Sequence, residues 1–259
     1  MDKRLLDYFN GDELAANVWR GKYAMDDEND PDDMHKRLAK EFARIEKNYK
    51  KATPKQKDLL SDFGRDLNEL NLSEEAIYLY FKNFKYIVPQ GSVMYGLGRK
   101  GSVISLSNCL RLPPPQDSYS SILFTDNQLV NSAKRRCGYG LGLSGLRPRG
   151  ATVTNSAGTS TGAASFMGRY SNSTREVAQE GRRGACLLDI DVTHPDSMEF
   201  AESKIDKTQI TGANISIKVY DDFMKSVYSD HDYVLRYPTT IPITDIGLEL
   251  LPEYNKLYK

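Results

Sequence analysis

Apolar positions along this chain follow one spacing up to about residue 88 and another beyond it. In the run HKRLAKEFARIEKNYKKA, Leu38, Phe42 and Ile45 recur at intervals of four and three, the period of an amphipathic helix. Pro31-Asp32-Asp33-Met34 opens that run and Pro54 closes it, as expected for proline in a first turn and past a helix end. A second run, KQKDLLSDFGRDLNEL, places Leu59, Leu60, Phe63, Leu67 and Leu70 on one face. A third begins at Ser73, a capping residue ahead of Glu74 and Glu75, where acids favour the positive end of the helix dipole. Residues 1–88 are therefore expected to form a helical domain with solvated, charged outer faces.

After Pro89 the pattern shortens. SVISLSNCL (102–110), ACLLDIDV (185–192) and ANISIKV (213–219) are β-prone, and 118–135 and 163–180 read as helices between them. Strands separated by helices predict an α/β unit with a largely buried sheet over 89–259. The tail from 233 to 259, with Pro238, Pro242 and Pro252, predicts no regular element. There is no internal repeat or low-complexity tract, and 259 residues are enough for a large core in one or two domains.

Charge narrows the classes. A formal net charge of zero argues against a protein built to coat nucleic acid or an acidic membrane. No run has the length of a membrane-spanning helix, and MDKRLLDYFNGDEL lacks the apolar core of a signal peptide. Cys109, Cys137 and Cys186 are far apart and His35, His194 and His231 scattered, so no metal site is expected and a reducing, cytoplasmic setting is.

Between Asn127 and Arg175 there is no acid, while Lys134, Arg135, Arg136, Arg147, Arg149, Arg169 and Arg175 stand among Gly, Ser and Thr. Small residues allow close backbone approach and guanidinium forks match phosphate oxygens, so this stretch predicts a folded nucleotide-phosphate site. Gly140-Leu141-Gly142-Leu143-Ser144-Gly145 satisfies a dinucleotide signature by letter, yet no acid follows until Glu176 to hold a ribose. A tight glycine-lined turn delivering Arg147 and Arg149 to an anion is the better account. Asp117-Ser118, after Pro113-Pro114-Pro115, fits a helix N-cap and could also face a ligand. Cys109 is either a small buried apolar residue or a reagent. Arg182-Arg183 could clamp phosphate or hold nearby acids, and 204–214 (KIDKTQITGAN) is either a base-reading loop or a surface connection.

Taken in order, Ser107-Asn108-Cys109, Asp117-Ser118, KRRCGYGLGLSGLRPRGA (134–151), RYSNSTREVAQEGRRGACLLDIDVTHPD (169–196) and TGANISIKVYDDFM (211–224) resemble the large catalytic subunit of ribonucleotide reductase. NGDELAANVWRGKYAM (10–25) resembles the adenosylcobalamin-dependent, class II branch. The resemblance implies a helical domain followed by a ten-stranded α/β barrel, of which this chain would supply the first half. It implies that Cys109 reduces the ribose 2′ carbon and ends in a disulfide, with Ser92, Ser107 and Asn108 at the substrate. It further implies a deoxynucleoside triphosphate effector at Asp117, Ser118 and Arg147, and a loop with Lys204, Gln209 and Asn214 that relays effector identity. Implied partners are a ribonucleotide, a thioredoxin-like or dithiol reductant and a second copy of the chain.

Nothing between Asp221 and Lys259 resembles the family's radical-bearing finger loop or the cysteine that pairs with Cys109. The N-terminus is too short for the family's ATP cone, and Cys137 stands where the family commonly has glycine. The expectation is an N-terminal portion that needs a C-terminal half. The alternatives are a deoxynucleotide-binding regulatory module without turnover, and a class I form served by a separate radical-generating subunit.

Overall fold

The computed structural model describes residues 2–49, 73–177, 184–206 and 208–239; the run at 55–70 and Arg182-Arg183 lie outside the described residues. The chain divides into two compact units, Met1–Asn108 and Cys109–Lys259. This boundary falls later than the change of texture at Pro89 because Leu97 is buried with Leu5, Trp19 and Leu38 in the first core.

In the first unit the described elements are helices α1 (Lys3–Tyr8), α2 (Glu13–Lys22), α3 (Pro31–Tyr49), α4 (Glu74–Phe81) and α5 (Gly91–Gly96). Side chains cap them: Ser73 accepts from the Ala76 amide at 3.1 Å, as the sequence predicts, and Asp12 accepts from the Ala15 amide at 2.9 Å. On α3, Met34 and Leu38 are fully buried, and Phe42 and Ile45 are partly buried against the same cluster. His35 is also buried, between Phe81 and Phe84 (ring centroids 6.5 and 4.6 Å away). Neither of its ring nitrogens has a hydrogen-bond partner, and desolvation pushes its pKa down to about 4.

The second unit carries a four-stranded parallel sheet in the order β1 (Cys109–Arg111), β2 (Gly138–Gly142), β3 (Cys186–Asp191), β4 (Asn214–Lys218). Helices α6 (Tyr119–Ala133), α7 (Ala163–Glu176) and α8 (Ser197–Glu202) link successive strands, and α9 (Asp221–Tyr228) follows β4. This is a mixed α/β architecture in which every sequential strand pair is adjacent and parallel, so each connection is a crossover.

Two sequence expectations are corrected here. The β-prone run 102–110 yields a strand only from Cys109. Before it, the Ser105 hydroxyl donates to the Ser107 carbonyl and accepts from the Ser107 amide, a local bond that competes with a sheet ladder. The glycines expected to form a tight turn instead form β2, and the turn comes after it, where the Leu146 amide donates to the Leu143 carbonyl at 3.0 Å. In Gly138-Tyr139-Gly140-Leu141-Gly142, Tyr139 and Leu141 are buried in the helix-side core. The other face of the strand is only glycine, which hides the period-2 pattern.

Register then sorts the sheet into two faces. Tyr139, Leu141, Cys186, Leu188 and Ile190 pack with Leu129, Met167 and Tyr170 from α6 and α7. Cys109, Arg111, the three β2 glycines, Leu187, Asp189, Asp191, Asn214, Ser216 and Lys218 lie on the opposite face.

Candidate functional site

Two features of the second unit have the makings of a site. One is the polar face of the sheet. Cys109 is exposed at the start of β1, opposite Gly138, so no neighbouring β2 side chain crowds the thiol. The other cysteines are buried: Cys186 lies in the helix-side core, where desolvation pushes its thiol up to about 12, and Cys137 reaches the Gly138 carbonyl at 3.2 Å. Further along the polar face runs a ladder of alternating charge. Arg111 pairs with Asp189. The Lys218 ammonium lies 3.1 Å from Asp189 and 3.0 Å from Asp191, and the Tyr220 hydroxyl donates to Asp191 at 2.7 Å. Burial alone would raise the Asp191 pKa, but these bonds from Tyr220 and Lys218 hold it below the ordinary value.

The second feature is a cleft of ≈ 200 Å³ lined by Asp117, Ser118, Tyr119, Arg147, Asn155, Thr161 and Phe166, among others. Ser118 caps α6, accepting from the Ser121 amide at 3.3 Å. Asp117 holds the loop that follows β2: its carboxylate accepts from the Arg147 backbone amide at 3.1 Å and from Arg147 Nε at 2.6 Å. The Arg147 guanidinium also donates to the Thr152 carbonyl at 2.8 Å. The far wall is a folded loop tied by the Gly150–Ser160, Ser160–Ala151 and Val153–Gly158 backbone bonds. Hydroxyls and an amide on this wall face the Tyr119–Phe166 ring pair, whose centroids are 5.9 Å apart. Polar groups beside aromatic rings suit a ligand with a sugar and a flat base.

The acid-free stretch works differently from its expectation. Three of its arginines are matched by carboxylates from outside it: Arg147 by Asp117, Arg149 by Glu199, and Arg169 by Asp126. Arg147 lines the cleft and Arg149 does not, so, contrary to the expectation from the sequence, the structure does not bring both arginines of the turn to one place. The clamp that shapes this region was not assigned from the sequence. His194 Nδ1 accepts from the Asp196 amide at 3.0 Å, which leaves the proton on Nε2 to donate to the Leu146 carbonyl at 2.8 Å. The Asp196 carboxylate accepts from the Arg149 amide at 3.0 Å and from the Ala163 amide at 2.7 Å. It thereby occupies the N-terminus of α7, which has no capping side chain of its own. Gly162 is required there, since a Cβ would meet Asp196 Oδ2 at 2.6 Å and its φ is +85°. The clamp's trace in the sequence is no more than the letters His194-Pro195-Asp196, since the groups they bind are backbone.

The other expected residues fall elsewhere. Lys204 donates to the Ile210 carbonyl at 2.7 Å and Gln209 to Asp206 at 2.9 Å. These side chains close their own loop and do not line the cleft. Asn214 is exposed on the polar face, opposite Leu187. In the first unit Ser92 is buried, its hydroxyl without a hydrogen-bond partner, and its amide donates to Asn108 Oδ1 at 2.8 Å. Ser107 is exposed. Among the described residues no cluster of His, Cys, Asp or Glu could hold a metal ion, and no helix is long and apolar enough to cross a membrane.

This parallel sheet with one apolar and one polar face is a mixed α/β unit, and comparison with known proteins gives it a family. Residues 107–259 match the ribonucleotide reductase barrel domain, and the chain belongs to that family. It is similar to the vitamin B12-dependent ribonucleoside-diphosphate reductases of Mycobacterium tuberculosis (34% identical over 137 residues, 52% of this chain and 20% of the relative) and Thermoplasma acidophilum (35% over 149 residues, 57% and 19%). It also resembles the ribonucleoside-diphosphate reductase large subunit of Caenorhabditis elegans (28% over 146 residues, 54% and 18%). The match covers about a fifth of each of these relatives. The family resemblance drawn from the motifs is thus borne out.

Proposed function

We propose that this chain supplies the reducing thiol and the effector cleft of a ribonucleotide reductase of the adenosylcobalamin-dependent kind, and that a C-terminal half completes its barrel. The observation that carries the reading is Cys109, exposed on the polar face of the first parallel strand, in the same unit as the Asp117–Arg147 cleft. In this reading two thiols deliver a pair of electrons and two protons to the nucleotide. The 2′ hydroxyl leaves as water, a hydrogen takes its place, and Cys109 ends in a disulfide with a cysteine of the other half. A dithiol or thioredoxin-like reductant restores the thiols. Ser92, Ser107 and Asn108 are assigned to the substrate on the resemblance alone.

The cleft takes a deoxynucleoside triphosphate as specificity effector. Asp117 and Ser118 face its sugar, and Tyr119 and Phe166 offer their rings to its base. Arg147 is in reach of a phosphate once its bond to Asp117 is shared. Tyr119, Leu123 and Phe124 expose apolar surface on α6 beside the cleft, which supports a second copy docking there. The B12-dependent relatives support adenosylcobalamin as the radical source. The cleft itself, at ≈ 200 Å³, is too small for a corrin ring.

The test is deoxyribonucleotide formation by this chain co-expressed with the C-terminal half, with adenosylcobalamin and a dithiol. Turnover in the mixture, abolished by Cys109→Ala, is the expected result. Turnover without adenosylcobalamin would assign a class I form instead. Effector binding unaffected by Cys109→Ala, with no turnover in any mixture, would make the chain a nucleotide sensor.

A further inference from the structure

We infer that Arg111 is a positioning residue for Cys109, acting through Asp189 across the glycine strand; this rests on the reading of Cys109 as the reducing thiol. The two residues are two apart on β1, so their side chains share the polar face. This strand has only three residues and, among the described residues, pairs on one side only, with β2. Such a short edge is the part of a sheet most prone to local opening. Its neighbour β2 offers backbone bonds but no side chain on this face. The side-chain tie skips a strand instead, from Arg111 on β1 to Asp189 on β3.

The glycines make that tie possible. A Cβ on Gly142 would lie 2.9 Å from Asp189 Oδ1 and 3.1 Å from Arg111 Nη2, and one on Gly140 would lie 3.9 Å from Arg111 Nη1. The guanidinium therefore runs in a trough that side chains would fill. The acid at its end is a firm anchor: Asp189 is 4% exposed and held from the other side by Lys218 at 3.1 Å. Pairing with a buried carboxylate also turns the Arg111 charge away from use as a bare anion site. Removing the arginine leaves that carboxylate with less compensation and removes the side-chain tie from β1 to β3.

Hydrogen exchange on the full chain tests the link without requiring turnover. In Arg111→Met, amides of residues 109–112 should exchange about tenfold faster while those of β3 stay protected. Asp189→Asn should give the same effect on β1, and the double variant should add nothing further. Arg111→Lys, which keeps the charge, should recover part of the protection. In the assembled reductase Arg111→Met should lower kcat about tenfold with KM unchanged, the mark of a misplaced reacting group rather than lost binding. Unchanged exchange at 109–112, additive effects, or loosening spread evenly over all four strands would overturn the inference. An assembly inactive even with wild-type chain would instead sink the proposed function, and the exchange result would still judge the Arg111–Asp189 link.

Discussion

The two faces of the sheet are made from the same strands, residue by alternate residue, and could hardly differ more. Toward the helices, Leu188 and Ile190 are fully buried with Leu141 and Tyr139. Toward the other side stand Cys109, glycines, Asp189, Asp191 and Lys218, and Leu187 is 42% exposed. Parallel sheets are usually covered on both faces and apolar on both. Here one face stabilises the unit and the other has given up packing for charge, small residues and a thiol. The helix-side face tolerates few polar atoms, and the polar face is kept in order by ion pairs to the buried carboxylates Asp189 and Asp191.

Neighbouring substitutions should measure that division. Leu188→Ala should cost about 2–5 kcal/mol, since it opens a cavity in a filled core, whereas Leu187→Ala should stay within about 0.5 kcal/mol. Urea unfolding of the two variants is the check. Equal costs would mean that the polar face is packed as tightly as the other. A smaller effect separates two glycines of one strand. Gly142→Ala should cost about 1–3 kcal/mol because its Cβ collides with Asp189 and Arg111. Gly140→Ala should cost less than about 1 kcal/mol, because the nearest atom, the Leu187 carbonyl oxygen, lies at an ordinary contact distance of 3.5 Å. If the two alanines behave alike in thermal unfolding, the trough is not what constrains Gly142.

How much of this was legible depended on whether side chains announced the period. The helix α3 was readable because Leu38, Phe42 and Ile45 mark its buried side, and β3 and β4 because aliphatic residues mark theirs. Strand β2 was not, because glycine on alternate positions leaves only Tyr139 and Leu141 to signal alternation, and the same letters spell a nucleotide-binding turn. The cleft was half legible. Asp117, Ser118 and Arg147 do meet there, but the acids that neutralise Arg149 and Arg169 come from Glu199 and Asp126, far away in sequence. Local charge counting cannot see such pairs. The His194–Asp196 clamp was missed for a related reason: its partners are backbone groups of Leu146, Arg149 and Ala163, and backbone carries no sequence signal.

The remaining prediction concerns pH, and it separates the polar face from the first unit. Hydrogen bonds from Tyr220 and Lys218 outweigh burial and hold Asp191 below its ordinary value of 3.8. Its stabilisation is therefore present above that value and lost as pH falls below it. Burial works against the charged Lys218, but its bonds to Asp191 and Asp189 raise its pKa above 10.5. That contribution is full below 10.5 and lost as pH climbs through the raised value. The polar face should thus hold a plateau from about pH 4 to pH 10 and loosen at either end. His35 behaves otherwise. Buried neutral with its pKa lowered from 6.5 to about 4, it favours the fold above 6.5 and opposes it as pH falls from 6.5 toward 4. The effect is about 3 kcal/mol. The first unit should therefore weaken in mild acid, and buried His194, whose pKa burial also lowers, pulls the second unit in the same direction. Trp19, the sole tryptophan and buried in the first core, reports one unit by fluorescence. Thiol labelling of the buried Cys186 reports the other. Trp19 emission should shift between pH 6.5 and 4, and His35→Phe should remove that shift while leaving the acid response of Cys186 as it is in the unaltered chain. A Trp19 shift that persists in His35→Phe would mean that the acid limb of the first unit does not belong to His35.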